Sequence, residues 1–403
     1  MTRPVRTLLF SSLYPNSVRP GHGIFVETRL RHLLATGEVQ TKVVAPVPWF
    51  FSKHPRYGHY AEFARTPARE TRHGIDVLHP RYFLPPRVGM RVAPLAMALG
   101  ARSTVQRLLD EGFDFDVIDA HYYYPDGVAA ALLARHFKRP FTVTARGSDL
   151  NLLTRYAVPR RLMQWTARRA AASIGVSSAL VDILRGWGVD ASRLHVMRNG
   201  VDLERFTPLP QAEMRQALGV SGSPVLIAVG NLVELKGHRL MIEALVDLRK
   251  THPEVQLLIV GNGPERASLE DHARALNVWS RVSFVGSVDN QHLARWYSAA
   301  DLLVQASSRE GWANVLLEAM ACGTPVVATD VGGCREIIAH PDAGGLIEHR
   351  DARSIAHAAR QLLLRRPDRA LVRRYAERFC WDATSQAQAT LFARFVADGV
   401  RPC

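Results

Sequence analysis

The amino-acid sequence predicts an α/β protein of two doubly wound domains, each a mostly parallel sheet with helices on both faces. Three observations carry that expectation. Short β-branched or apolar runs alternate with longer segments of helical period along the chain. A polar, proline-containing break at residues 207–224 separates two such blocks. The length of 403 residues suffices for two domains, and 47% hydrophobic with 22% charged residues describes a globular chain, not a disordered one.

Strands are expected at 7–10, 41–47, 117–121, 141–145, 173–177 and 195–200 in the first block. In the second they are expected at 225–231, 256–263, 282–288, 301–307 and 325–331. Helical patterns fill the gaps, for example at 160–172, 238–250, 265–276, 290–299 and 353–365, with a further helix at about 314–322. The domains are drawn at 1–203 and 204–383, with a helix at 384–403 packing back on the first. In this architecture ligands bind off the carboxyl ends of the strands, so the loops that follow strands are where chemistry is sought.

Residues 1–200 hold 28 Lys and Arg against 14 Asp and Glu, and the remainder holds 23 of each. The whole net charge of +14 therefore lies in the first half, which suits an anionic partner. Nucleic acid, an acidic membrane and a phosphorylated substrate all fit that charge. No apolar run reaches about 18 residues, and the stretch Thr7 to Phe10 is too short for a signal peptide. The four cysteines, Cys322, Cys334, Cys380 and Cys403, form no CxxC pair, and no His cluster has zinc spacing. They read as reduced thiols in a cytoplasmic protein.

The segment EGWANVLLEAMACGTPVVATDVGG, beginning at Glu310, carries the sharpest chemical signal. A loop leaves a strand at 308–313 and enters a helix N-terminus, whose free N–H groups and partial positive charge attract a phosphate. Glu318 sits about one turn inside, and Glu310 lies in the loop on the other side of that phosphate. A ligand ordered as sugar, diphosphate, ribose matches: Glu318 on the ribose diol, Glu310 on hydroxyls of the sugar. The plain alternative is a cap and a solvent-facing helical residue. GNLVELKGH offers Gly230 for close approach and Lys236 for a phosphate oxygen, without Walker A spacing. GNGPER at 261–266 is a turn between strand and helix, and no acidic residue ends a strand at the distance a nicotinamide dinucleotide would need. In the first half, VIDAHYYYPDG puts His121 at a strand end and TARGSDL puts Arg146 and Asp149 at the next one. Gly21 and Gly23 lie between the first strand and its helix. The Asp114-Phe115-Asp116 pair precedes a strand, away from the ligand edge, and reads as a loop instead of a metal site.

Together these segments resemble glycosyltransferase family 4, retaining enzymes of the GT-B fold, whose two Rossmann-like domains face each other across a cleft. EGWANVLLE looks like the family's E-x7-E segment and VMRNGVDLERFTP like its interdomain segment. SSLYPNSVRPGHGIFVE, HYYYPDG and TARGSDLNLL look most like a branch that builds bacterial exopolysaccharides. The resemblance covers nearly the whole chain. It implies a transferase that moves a hexose-type sugar from a nucleotide sugar to a lipid-linked or polysaccharide acceptor, with no metal and no other cofactor.

Carried over position by position, it implies that Glu310 contacts the donor sugar and Lys236 neutralises the leaving diphosphate. His121 faces the sugar from the first domain, and Glu318 holds the ribose. Backbone around Ala313, Asn314 and Val315 meets sugar and phosphate, Gly23 lets the N-terminal loop close, and the base stacks near Gly286 and Val288. One departure stands out: Asn231 replaces the family's usual Arg, leaving Arg146 or Arg198 to compensate or the activity lower.

The basic first half, with Arg160, Arg161, Arg168 and Arg169 around Leu162, Met163 and Trp165, is expected to hold such an acceptor. That helix reads as amphipathic and able to lie on an anionic membrane, on the inner face of the plasma membrane. A polar-backed core helix has the same pattern. A sugar-nucleotide epimerase or hydrolase of the same architecture, and a nucleic-acid-binding protein, are the rival classes. The second lacks any reading motif, so nucleic acid is not an expected partner.

Overall fold

The computed structural model describes residues 3–85 and 89–399. It divides into two compact units, Met1–Asn199 with Asp382–Cys403, and Gly200–Trp381. In the first unit the strands are β1 (Val5–Phe10), β2 (Val39–Val44), β3 (Val47–Pro48), β4 (Arg69–Arg72), β5 (Ile75–Leu78), β6 (Arg81–Tyr82), β7 (Val117–His121), β8 (Phe141–Ala145), β9 (Ala172–Gly175) and β10 (Leu194–Val196). In the second they are β11 (Val225–Val229), β12 (Gln256–Val260), β13 (Val282–Gly286), β14 (Leu302–Gln305), β15 (Val326–Thr329) and β16 (Gly344–Ile347).

The first unit's helices are α1 (Ile24–Ala35), α2 (His59–Arg65), α3 (Gly89–Asp110), α4 (Val128–Phe137), α5 (Ser148–Asn151), α6 (Ala157–Ala167) and α7 (Ser178–Gly186). The second's are α8 (Gln211–Leu218), α9 (His238–Leu248), α10 (Arg266–Ala275), α11 (Leu293–Ala299), α12 (Asn314–Ala321), α13 (Cys334–Ile337), α14 (Ala352–Arg365) and α15 (Arg369–Ala376). A final helix, α16 (Trp381–Ala397), belongs to the first unit from Asp382 onward.

Both sheets are doubly wound. The first runs β10-β9-β8-β7-β1-β2-β5-β4, parallel except for the antiparallel β4–β5 pair. The second runs β13-β12-β11-β14-β15-β16 and is parallel throughout. Central strands such as β7, VIDAH, and β15, VVAT, are buried along their whole length, because helices cover both faces. Apolar residues therefore occupy both faces, and the polar Asp119 and His121 of β7 are held by buried hydrogen bonds.

Elements missing from the sequence reading have weak patterns. β4 is RETR, a polar edge strand, and β16 opens on two glycines. The expected break at 207–224 contains α8, whose residues are all solvent-facing or half-buried, so no apolar stripe announced it. The strand expected at 195–200 ends at Val196.

A chain of buried polar groups ties α16 to the first sheet. The Arg29 guanidinium, fully enclosed, donates to Gln388 Oε1 at 2.8 Å and to the Met197 carbonyl at 3.0 Å. Gln388 Nε2 donates to Asp119 Oδ2 at 3.0 Å, and Thr142 Oγ1 donates to Asp119 Oδ1 at 2.9 Å. Burial works to raise the Asp119 carboxyl, but His121, Thr142 and Arg29 together hold it below the ordinary value. Ala389 and Phe392 of α16 pack with Val5, Leu33, Val39 and Val117, completing the apolar side of the same joint.

Removing a partner from such an enclosed group leaves uncompensated charge. Asp119→Ala is expected to lower the stability of the first unit by about 3–5 kcal/mol, read from urea unfolding followed by intrinsic fluorescence.

Candidate functional site

The order of the second sheet places its site. β11 is flanked by β12 on one side and β14 on the other, so the loops after β11 and β14 leave in opposite directions and open a crevice at the carboxyl edge. Those two loops carry Lys236 and Glu310. Lys236 Nζ donates to Glu310 Oε1 at 2.6 Å across 74 positions of sequence. Gln305 Nε2 and Ser307 Oγ donate to the same oxygen, each at 2.7 Å, so strand β14 and its following loop hold the carboxylate in place. The Glu310 backbone is held as tightly. Gly332 has φ +54° and lies against it, and a Cβ there would stand 1.9 Å from the Glu310 carbonyl oxygen. Only glycine fits that position.

Helix α12 begins just beyond Glu310. Its N-cap is Ala313, buried, with no side-chain cap for the first-turn N–H groups, while Asn314 and Val315 are half-buried. Glu318, one turn in and partly buried, accepts a hydrogen bond from the Tyr297 hydroxyl at 2.8 Å. Burial pushes its carboxyl up to about 7, against the opposing pull of Tyr297 and Arg205.

Neighbouring strand ends complete this edge. The Asn231 side chain is exposed at the end of β11, and its carbonyl accepts from His238 Nε2 at 3.2 Å. Burial pushes His238 down to about 4, so it is neutral and its proton sits on Nε2. Gly286 ends β13, its carbonyl accepting from the Gly261 N–H at 2.8 Å, and Val288 is half-buried just beyond. Sequence reasoning missed Arg350, which follows β16. Its guanidinium donates to the Ala306 carbonyl at 2.8 Å and the Glu234 carbonyl at 3.1 Å, bridging the two loops that hold Glu310 and Lys236. The signal was absent because β16 itself was not read.

The first unit has its own switch point, between β1 and β7. Ser12 in the loop after β1 gives both its N–H and its hydroxyl to Asp126 in the loop after β7. Burial pushes the Asp126 carboxyl up to about 7. Gly23 caps α1 with φ +67°, and a Cβ there would lie 2.3 Å from the Leu13 carbonyl oxygen, so the loop after β1 folds onto this residue.

His121 closes β7 and is enclosed. Its Nε2–H donates to Asp119 Oδ2 at 3.1 Å, and its Nδ1 accepts from the Arg146 guanidinium. Burial pushes it down to about 4, so the ring is neutral at physiological pH with its proton on Nε2. Arg146 also donates to Asn199 Oδ1 at 3.0 Å. Asp149 is fully buried and accepts from the N–H groups of Tyr123, Arg146 and Gly147, which makes it an anchor for the turn into α5. Arg198 is exposed, with a guanidinium nitrogen 3.4 Å from Ser178 Oγ. The structure thus gathers Lys236, Glu310 and the start of α12 in the second unit, and His121, Arg146 and Asp149 in the first.

Two further expectations can be placed. Asp114 pairs with Arg139 and Asp116 with Arg3, so both carboxylates of the Asp-x-Asp stretch are engaged. Among the described residues no group of three or more His, Cys, Asp or Glu could hold a metal ion. In α6, Met163 and Ala167 are buried and Leu162 and Trp165 half-buried, while Arg160, Arg161, Arg168 and Arg169 are exposed. The apolar side of that helix is therefore occupied by the core, and the arginines form its polar back. No helix among the described residues is long and apolar enough to cross a membrane. Cys322 and Cys334 are buried free thiols, Cys380 is half-buried, and Cys403 lies outside the described residues.

Two family models match the chain: "Glycosyltransferase Family 4" over residues 85–205 and "Glycosyl transferases group 1" over 210–379. The chain is 31% identical over 305 residues to a D-inositol 3-phosphate glycosyltransferase of Jonesia denitrificans, covering 70% of this chain and 72% of the relative. It is 29% identical over 362 residues to TuaC of Bacillus subtilis (strain 168), named for teichuronic acid biosynthesis, covering 88% of both. Among solved structures, sucrose-phosphate synthase from Thermosynechococcus elongatus superposes with a TM-score of 0.78 at 23% identity, covering 98% of this chain and 100% of that one. HepE of Anabaena, solved in complex with UDP, superposes at 0.73 with 21% identity, covering 97% and 100%.

The raised Glu318 carboxyl has a measurable consequence. In the unfolded chain it ionises near the ordinary value of about 4.3. In the fold it keeps its proton to about 7, so the native state binds more protons between those values and stability falls as pH rises through them. Glu318→Gln is expected to flatten that slope in ligand-free protein, read as the difference in melting temperature between variant and wild type from pH 4.5 to 8.

Proposed function

The chain belongs to glycosyltransferase family 4, an enzyme of the GT-B fold, and from that premise we propose that it is a retaining hexosyltransferase using a nucleoside-diphosphate sugar. Its acceptor in this reading is a lipid-linked or polysaccharide hydroxyl of cell-envelope or exopolysaccharide synthesis. One observation carries the donor side: the Lys236–Glu310 pair at a strand-order reversal, beside a helix N-terminus with a carboxyl one turn inside. This arrangement supplies a cation, a helix start with no side-chain cap and two acidic side chains in the order that sugar, diphosphate and ribose require.

The reading gives each residue a role. The diphosphate rests against the first turn of α12 and the Lys236 ammonium, which can keep one N–H on Glu310 and turn another toward phosphate. Glu310 orients that ammonium and meets hydroxyls of the sugar. Glu318, ionised, accepts both hydroxyls of the ribose diol, and the loop of Gly286 and Val288 receives the base. Asn231 is a neutral donor to the same phosphates where an arginine would add charge. The His121 ring is neutral and enclosed, with both nitrogens engaged by Asp119 and Arg146, so it offers a sugar no open polar atom, and a ring this hard to protonate does not serve as a general acid.

Transfer breaks the bond between the anomeric carbon and the phosphate oxygen, and the nucleoside diphosphate leaves with that electron pair. The acceptor hydroxyl attacks the same face, and its proton passes to the departing phosphate oxygen. Lys236 and the α12 amides stabilise charge that grows on the diphosphate, an electrostatic task that requires no nucleophile from the protein.

The test is a thermal-shift panel of uridine, guanosine and adenosine diphosphates and their sugars, followed by anomeric analysis of the product. One nucleotide series is expected to raise the melting temperature, and Glu318→Ala is expected to abolish that rise. Lys236→Ala is expected to lower kcat by about 10²–10³-fold. Nucleotide affinity is expected to strengthen as pH rises through about 7, because only the ionised Glu318 accepts both ribose hydroxyls. An inverted product anomer, or a sugar nucleotide consumed at full rate with no acceptor present, overturns the reading.

A further inference from the structure

Nine of the large apolar side chains left exposed among the described residues lie between positions 49 and 99, in one part of the first unit. They are continuous in space. The Trp49 N–H donates to the Tyr82 carbonyl at 2.7 Å, which puts Trp49 beside the segment holding Phe83 and Leu84. Phe50 stacks on Tyr60 with ring centroids 5.4 Å apart and touches Phe51 at 4.6 Å. Arg81 fastens α2 to β6 through the Phe63 carbonyl at 2.7 Å, and Leu84 lies against Gly89 at the start of α3.

Helix α3 extends this surface. Its inner face, with Ala93, Met97, Ala101 and Val105, is already buried in the core. A helix of a globular protein normally turns polar residues outward from there. α3 instead presents Val92, Leu95 and Leu99 to solvent at three- and four-residue spacing. Phe51, Phe83 and Leu99 are 65%, 64% and 62% exposed. An apolar surface this concentrated marks something that covers it.

The charge around it selects the occupant. No Asp or Glu occurs between Asp76 and Asp110, whereas Arg91, Arg102 and Arg107 of α3 are exposed. On the aromatic side stand Lys53 and Arg56, the latter over the Tyr57 ring at 4.7 Å. The nearby carboxylate Glu62 is 3.6 Å from Arg19. A second copy of this chain would set two such basic faces against each other. A bilayer containing anionic lipid answers both features: exposed aromatic and aliphatic groups enter the headgroup and acyl boundary while the exposed lysine and arginines meet lipid phosphates.

We infer that this surface, formed by the residues around β3, β6, α2 and the first half of α3, docks the enzyme on an anionic lipid bilayer. The inference rests on the lipid-linked acceptor reading for its purpose, since docking would bring the first unit to an acceptor anchored in the same leaflet. It does not rest on that reading for its test. It also assigns the contact to a different element from α6, whose apolar side is already within the core.

The experiment is co-sedimentation of the full chain with vesicles of phosphatidylcholine alone and with about 30% phosphatidylglycerol, at about 0.1 M salt. The wild type is expected to bind the anionic vesicles and not the neutral ones. The variant Phe51→Ser, Phe83→Ser, Leu99→Ser is expected to bind roughly tenfold or more weakly, its nucleotide-induced thermal shift unchanged. Absence of wild-type binding, or a triple variant that binds as the wild type does, overturns the proposal. So does a concentration-dependent dimer in light scattering that the triple variant dissolves, which assigns the surface to a second copy. Failure of the nucleotide shift in the wild type would count against the donor reading and leave the vesicle result standing.

Discussion

Both candidate sites in this molecule rest on a constraint of parallel sheets: where strand order reverses, the loops from two adjacent strands must part. In the second unit the reversal falls between β11 and β14. Two loops far apart in sequence are thereby brought to the lips of one crevice, and the ion pair between Lys236 and Glu310 spans them. The same constraint acts in the first unit between β1 and β7, where Asp126 receives both donors of Ser12. Each unit thus has a polar bridge at its reversal, built from different chemistry. The lysine and glutamate joined this way are largely withdrawn from water, and Gln305 and Ser307 add two further donors to the same carboxylate oxygen. In the proposed donor site, that places an ammonium where a phosphate can share it.

The sequence disclosed the parts of this arrangement that are repetitive or compositionally extreme. Buried parallel strands such as β11 and β12 stand out as apolar runs because both their faces are covered. The glutamates of the E-x7-E stretch were legible as a loop residue and a helix residue. What could not be read lies where the physical signal is weak. β4 alternates charged residues on an edge, β16 begins with glycines, and α8 has no buried residue to set a period. Arg350 was invisible for the same reason, since its significance depends on the strand before it.

Other features were out of reach because they are properties of packing, not of pattern. Nothing in TARGSDL says that Asp149 turns inward to hold three backbone N–H groups. Nothing in HYYYPDG says that the His121 ring would be clamped between Asp119 and Arg146. The amphipathic pattern of α6 was correctly seen, but a periodic stripe does not reveal whether core or solvent lies opposite. Met163 and Ala167 show that it was core. Conversely, the exposed face of α3 is scattered in sequence among buried alanines and a proline, and only the fold collects it.

The return of α16 to the first unit also governs how the molecule is made. Arg29 hydrogen-bonds to a side chain 359 positions later in the chain. At a synthesis rate of ~5–20 residues per second, ~20–70 s separate the appearance of the two on a ribosome. During that interval the second unit, wholly contained between them, emerges and has every contact it needs. The first unit waits with a guanidinium and the floor of its sheet uncovered. The half of the protein that is translated first is therefore the half whose last buried partner is made after the whole of the second unit.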